Sequence, residues 1–192
     1  MIVFAGCGAL GSFIAMSIVD PEHEYLLIDD GRVGEENIGT SAYFRQQVGM
    51  WKVDALSELM YHKVGSDLRL HTYKTTLIVP VDTILYTGHT NTGNLFVDTF
   101  DNSDSRELVY NSRDGCAVHV GVSEEHTGAV TWDECWIPPG GPPRGENPIC
   151  THHLGRKILR FTAAVAAGII ENYLEVGRYR SVMVTENLSV LE

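Results

Sequence analysis

The first five residues, Met1 to Ala5, are all apolar and run straight into a glycine. A short continuous apolar run of this kind reads as a strand buried on both faces, as in a parallel sheet. The pattern then changes to small and apolar residues from Ala9 to Val19, stopped by Asp20 and Pro21, which predicts a helix. Tyr25 to Asp29 is the next strand. Three elements this close together make a βαβ unit, whose crossover is almost always right-handed.

Further along, Ser41 to Val48 and Trp51 to His62 read as helices, the second with Val53, Leu56, Leu59 and Met60 on one stripe. Arg69 to Thr75 alternates as a strand, and Val81 to Tyr86 reads as a short helix. GHTNTGN is then a turn into Leu95 to Asp98, an apolar strand that ends in an aspartate. Ser103 to Arg113 is helical in pattern, and CAVHVGVS and GAVTW read as two strands. The prolines and glycines of WIPPGGPPRGENPIC exclude a regular element, so about 133–150 is a long crossing loop. Leu154 to Val176 carries Ile158, Phe161, Val165, Ile169 and Tyr173 along one helix face, and Arg180 to Glu186 reads as a last strand. Strands alternating with helices predict an α/β, Rossmann-like domain over residues 1–192. Its central sheet is mostly parallel and flanked by helices, with a few antiparallel strands in the C-terminal half.

Composition narrows the class without changing the fold. At 192 residues, 44% hydrophobic and 20% charged, the chain has the make-up of an ordinary globular protein, not of a disordered or fibrous one. A net charge of -11 argues against nucleic acid as a partner, since phosphate backbones are met by clustered Lys and Arg. No apolar run approaches the roughly 20 residues that span a bilayer, and no basic leader precedes the first strand, so the expectation is a cytoplasmic protein with no membrane partner. The four cysteines, Cys7, Cys116, Cys135 and Cys150, contain no CxxC pair and do not form a disulfide framework.

The chemistry begins where the first strand meets the first helix. Gly6, Gly8 and Gly11, with Ala9 and Leu10 between the last two, spell G-x-G-x-x-G. Glycine permits a tight turn and a close approach to phosphate, while the free N–H groups and the positive end of the helix attract an anion. Asp29 lies 18 residues past Gly11 at the end of the second strand, where a carboxylate can accept from ribose hydroxyls. These features do not by themselves decide between NAD and ATP.

Two further stretches point to one of them. In DDGRVGEENIGTSAYFRQQVGMWK, the acid pair Asp29 and Asp30 is followed by Asn37 and then by G-x-x-K at Gly49 to Lys52. In FVDTFDNSDSRELVYN, a strand ends in Asp98, with Asp101, Asn102 and Arg106 just beyond. From Met1 to about Leu174 this series resembles the ThiF/MoeB/HesA family, the adenylating domains related to ubiquitin-activating enzymes. The resemblance implies that the C-terminal carboxylate of a small ubiquitin-like or sulfur-carrier protein, or of a peptide, attacks the α-phosphate of ATP to give an acyl-adenylate and pyrophosphate. Such a site must compensate the charge of three phosphates, Mg²⁺ and an incoming anion. By resemblance Asp29 would bind the ribose, Asn37 and Lys52 the phosphates, and Asp101 the Mg²⁺ through hard oxygen, with Asn102 and Arg106 shaping the loop. A homodimer is also implied. The sequence departs from the family pattern at Thr40, where an arginine is typical; Arg45, five residues on, is the candidate to replace it as a catalytic cation.

Among the cysteines, Cys150 is the first candidate nucleophile, because it ends the Pro/Gly loop just before a long helix whose N-terminus would lower its pKa. Cys135 is the second, and Cys7 and Cys116 read as packing residues. Cys150, His152 and His153 form a C-x-H-H cluster that, with Cys135 or His126, is a candidate transition-metal site lacking the usual second ligand pair. Two other functions fit the glycine loop: an NAD-dependent oxidoreductase, with His119 as the nominated catalytic residue, and a catalytically degenerate nucleotide-binding scaffold.

Overall fold

The computed structural model describes residues 1–75, 93–111, 115–123, 125–133 and 153–192, with no side-chain description for 115 and 153–155. The expected helix at Val81 to Tyr86, most of the turn before Leu95, the Pro/Gly loop and Cys135, Cys150 and His152 lie outside these residues. Among the described residues eight strands belong to one sheet: β1 (Ile2–Ala5), β2 (Glu24–Ile28), β3 (Arg69–Tyr73), β4 (Asn94–Asp98), β5 (Gly115–Val122), β6 (Gly128–Trp132), β7 (Val182–Val184) and β8 (Val190–Leu191). Their order is β3-β2-β1-β4-β5-β6-β7-β8. The pairs from β3 to β5 are parallel and those from β5 to β8 antiparallel, as the sequence leads one to expect.

The apolar run of β1 is buried at every position because the strand has neighbours on both edges and side chains on both faces. Ile2 and Phe4 join Tyr25, Leu27, Leu56 and Ile170 in the larger core, while Val3 and Ala5 join Leu26, Ile28, Phe96 and Val109 in the smaller one. That division is the period-two alternation of a strand. The larger core is covered by α1 (Ala9–Ile18), α2 (Lys52–Val64) and α4 (His153–Val176), and α4 lies along α1. The smaller one is covered by α3 (Ser103–Tyr110).

The predicted helix at Ser41 to Val48 is not formed. Short 3₁₀ turns at Glu35–Asn37 and Arg45–Gln47 take its place. The reason is local competition for backbone groups: Thr40 and Ser41 hydroxyls donate to the carbonyls of Glu36 and Asn37, and Gln47 accepts from the Phe44 N–H. The place of a ligand crevice follows from the strand order. The chain leaves β1 toward β2 and β3, then returns to place β4 on the other side of β1. Ligands of open parallel sheets bind at such a reversal, outside the carboxyl ends of the strands.

Candidate functional site

At that reversal Ala5 and Asp98 lie side by side as the last residues of β1 and β4. Gly6 turns the chain with φ +99°, and its N–H donates to the Ile28 carbonyl at 2.9 Å. A Cβ on Gly11 would overlap the Gly6 carbonyl and sit 2.7 Å from Thr99 Oγ1, so the third glycine is required by close packing. Gly8 is different: a Cβ there meets nothing within 4 Å, and Gly8 begins α1 without a side-chain cap. Ala9, Leu10 and Gly11 form the first turn, where N–H groups lack intrahelical partners and the helix dipole is positive. This open, capless start is a fitting place for a phosphate.

Asp29 is 8% exposed and closes the far side of the loop, accepting from the Cys7 N–H at 2.7 Å and the Gly31 N–H at 2.6 Å. Each oxygen keeps a lone pair for a ribose hydroxyl. Asp30 follows it on the same turn, half-buried. A Cβ on Gly31 would lie 2.9 Å from Asp29 Oδ1 and 3.0 Å from Lys52 Nζ, so the Lys52 ammonium faces Asp29 across that glycine. Lys52 opens α2, its own N–H donates to the Gly31 carbonyl at 2.9 Å, and among the described residues its ammonium has no ion-pair partner. The buried Tyr43 hydroxyl ties these pieces together, donating to the Cys7 carbonyl at 2.5 Å with the Lys52 carbonyl 3.2 Å away. Burial pushes the Tyr43 phenol well above its ordinary range. Asn37 is half-buried and accepts from the Gly34 N–H at 2.9 Å. Arg45 is not brought to the glycine loop by any described contact; its side chain is 75% exposed and pairs with Glu35 at 3.3 Å.

On the β4 side, Thr99 Oγ1 donates to the Gly6 carbonyl at 2.8 Å. Asp98 turns its carboxylate inward, where it is fully buried, and accepts from the Phe100 N–H at 3.1 Å. Its other oxygen lies 2.8 Å from His119 Nδ1 and 4.0 Å from Arg106 Nε. Arg106 donates to the carbonyls of Phe100 at 2.5 Å and Val120 at 2.9 Å. Asn102 caps α3, accepting from the Ser105 N–H at 2.9 Å. Asp101, between these anchored residues, is exposed and presents hard oxygens suited to Mg²⁺. The site therefore assembles the glycine loop, Asp29, Lys52 and the 98–102 turn. Tyr43's bond to Cys7 and His119's bond to Asp98 join positions 36 and 21 residues apart, too far for any local pattern to announce them.

The described cysteines are packed. Burial, and then Asp29, pushes the Cys7 thiol well up, with Sγ 3.9 Å from the Ile28 carbonyl. Burial likewise raises Cys116, whose Sγ lies 3.0 Å from the Tyr173 hydroxyl. Among the described residues no group of three or more His, Cys, Asp or Glu is placed to hold a metal ion, and no helix is long and apolar enough to cross a membrane.

No family model and no curated protein sequence matches the chain. Its fold does match solved structures. E. coli MccB with ATP superposes with a TM-score of 0.72 at 12% identity, over 99% of this chain and 62% of that one. The microcin C7 biosynthetic enzyme MccB in complex with N-formylated MccA gives 0.70 at 12% identity, over 99% and 63%. PaaA gives 0.70 at 12% identity, over 99% and 62%. The chain thus spans about three-fifths of the length of these structures and shares their fold, which is ThiF-like, as the motif resemblance leads one to expect.

Proposed function

We propose that this chain binds Mg-ATP at the β1–β4 reversal and adenylates the C-terminal carboxylate of a small ubiquitin-like or sulfur-carrier protein or of a peptide. The observation that carries the reading is an open, capless helix start at Gly8 together with a Lys52 ammonium that has no ion-pair partner among the described residues and an exposed Asp101 carboxylate. An oxidoreductase site needs no such cation and carboxylate around the phosphates. The fold shared with MccB, solved with ATP and with MccA, supports it.

In this reading the first turn of α1 and Lys52 receive phosphate oxygens, while the Asn37 amide adds a donor. Asp29 accepts from the ribose and so fixes where the α-phosphorus lies. Asp101 would hold Mg²⁺, which when bound neutralises phosphate charge and favours departure of pyrophosphate. The substrate carboxylate attacks the α-phosphorus, forming the acyl–phosphate bond as the bond to pyrophosphate breaks. The chain's part is placement and charge compensation.

Calorimetric titration with Mg-ATP and, separately, with NAD tests this. Mg-ATP should bind, and Asp101→Ala and Lys52→Ala should each weaken it by about tenfold or more, roughly 1.4 kcal/mol. NAD binding indifferent to Asp101 overturns the proposal. Pyrophosphate release on adding a carrier protein or peptide separates an adenylating enzyme from a nucleotide-binding scaffold, which would bind Mg-ATP and release none.

A further inference from the structure

His119, on β5, is 1% exposed and lies between two carboxylates. Its Nδ1 is 2.8 Å from Asp98 Oδ2 at the end of β4, and its Nε2 is 3.1 Å from Asp133 Oδ1 just beyond β6. A neutral imidazole has one N–H and would set the lone pair of its other nitrogen against a carboxylate oxygen. Only the imidazolium donates to both. The surroundings accept that charge: Asp98 and Asp133 face it from β4 and β6, and α3 contributes Arg106, 4.0 Å from the shared Asp98 oxygen, and the Tyr110 ring at 6.4 Å between centroids. Burial opposes the charged ring, and the bonds to Asp133 and Asp98 outweigh it, so its pKa lies above the ordinary histidine value.

The ring's first partner is also the first link to the turn. Asp98 holds the Phe100 N–H while Arg106 holds the Phe100 carbonyl, so one residue's backbone is gripped at both ends directly before Asp101. Asn102 is fixed as the cap of α3, and Thr99 is bonded to Gly6 in the glycine loop. Asp133 in turn accepts from the Ala117 N–H at 2.7 Å, anchoring the far side of the ring to β5. We propose that His119 is a positioning residue which, as an imidazolium clamped between Asp98 and Asp133, fixes the turn carrying Asp101 and Asn102 against the glycine loop. Loss of the proton sets a ring lone pair against a carboxylate, frees Asp98 to rotate and leaves the Phe100 N–H without its acceptor. The consequence for nucleotide rests on the proposed function; the clamp itself does not.

Isotope-labelled protein followed by NMR across pH tests the clamp without nucleotide. Both His119 ring nitrogens should stay protonated at neutral pH and titrate above the ordinary value of about 6.5. The Phe100 amide shift should follow with the same midpoint. In Asp133→Asn that midpoint should fall, and this variant serves even if His119→Gln does not fold. A ring that is neutral at pH 7, or a Phe100 amide that ignores its titration, overturns the proposal. Mg-ATP titration of the same proteins reads the functional side: wild-type affinity should be flat between about pH 6 and 7.5, while Asp133→Asn should lose several-fold over that range. A uniform loss at all pH values would mark a merely structural residue and refute the positioning role. If the wild type binds no Mg-ATP at any pH, the nucleotide reading fails while the NMR result still decides the clamp.

Discussion

Gly8 and Gly11 are three residues apart in one motif, and the structure asks opposite things of them. Gly11→Ala forces a methyl into the Gly6 carbonyl and toward Thr99, an overpacking of backbone that should destabilise the chain by about 1–3 kcal/mol. Gly8→Ala adds a methyl in open space at φ -74°, so stability should stay within about 0.5 kcal/mol. The methyl would, however, stand where a phosphate approaches the start of α1, and Mg-ATP affinity should drop. Thermal unfolding and nucleotide titration of the two variants check both halves; equal Tm losses would contradict the assignment of roles. The motif itself was legible because glycine spacing, the strand before it and the helix after it are local. Tyr43 was not, because its hydroxyl serves a carbonyl 36 residues away and nothing around it in sequence distinguishes it from a core aromatic.

At the scale of elements, β1, β2 and β4 were legible for the same reason: uninterrupted runs of Ile, Val, Leu and Phe at their centres need burial on both faces. The stretch after Asn37 misled because helical-looking composition hid hydroxyls and an amide that take backbone partners of their own. β8, with two exposed residues, is too short to carry any period. The α3 helix shows how an element and a site share one residue. Asp101-Asn102 was noticed for its resemblance to a metal motif, yet Asn102 has extended backbone and accepts from the Ser105 N–H, the geometry of an N-cap. Asn102→Ala should therefore cost about 1 kcal/mol in urea unfolding, and Asn102→Asp, which keeps the acceptor, should restore most of it. An alanine variant of unchanged stability would mean that the residue's role is at the ligand and not at the helix.

Over the whole molecule, the groups among the described residues whose ionisation the fold displaces all move in one direction. His119 is raised by its carboxylates against burial; Cys7 and Cys116 are raised by burial; Tyr25 and Tyr173 are pushed up to about 12, the first by burial and the second by its bond to Cys116; and Tyr43 rises by burial. A group whose pKa is higher folded than unfolded stabilises the fold in full below its unfolded pKa, and that contribution is lost as pH climbs through the folded one. The first loss thus begins near pH 6.5 with His119, and the second begins near 9 with the thiols and continues through the phenols toward about 12. Self-repulsion among the excess carboxylates of a chain with net charge -11 and a pI near 5.1 adds to the decline on the alkaline side. Tm measured by circular dichroism at fixed ionic strength should fall in two stages as pH rises from about 6. His119→Gln should start lower, lose the first stage and keep the second, because glutamine has no proton to give up while the thiols and phenols are unchanged. A Tm that stays level from about pH 6 to 9 in the wild type would mean that His119 is not held charged, and the clamp on Asp98 would fall with it.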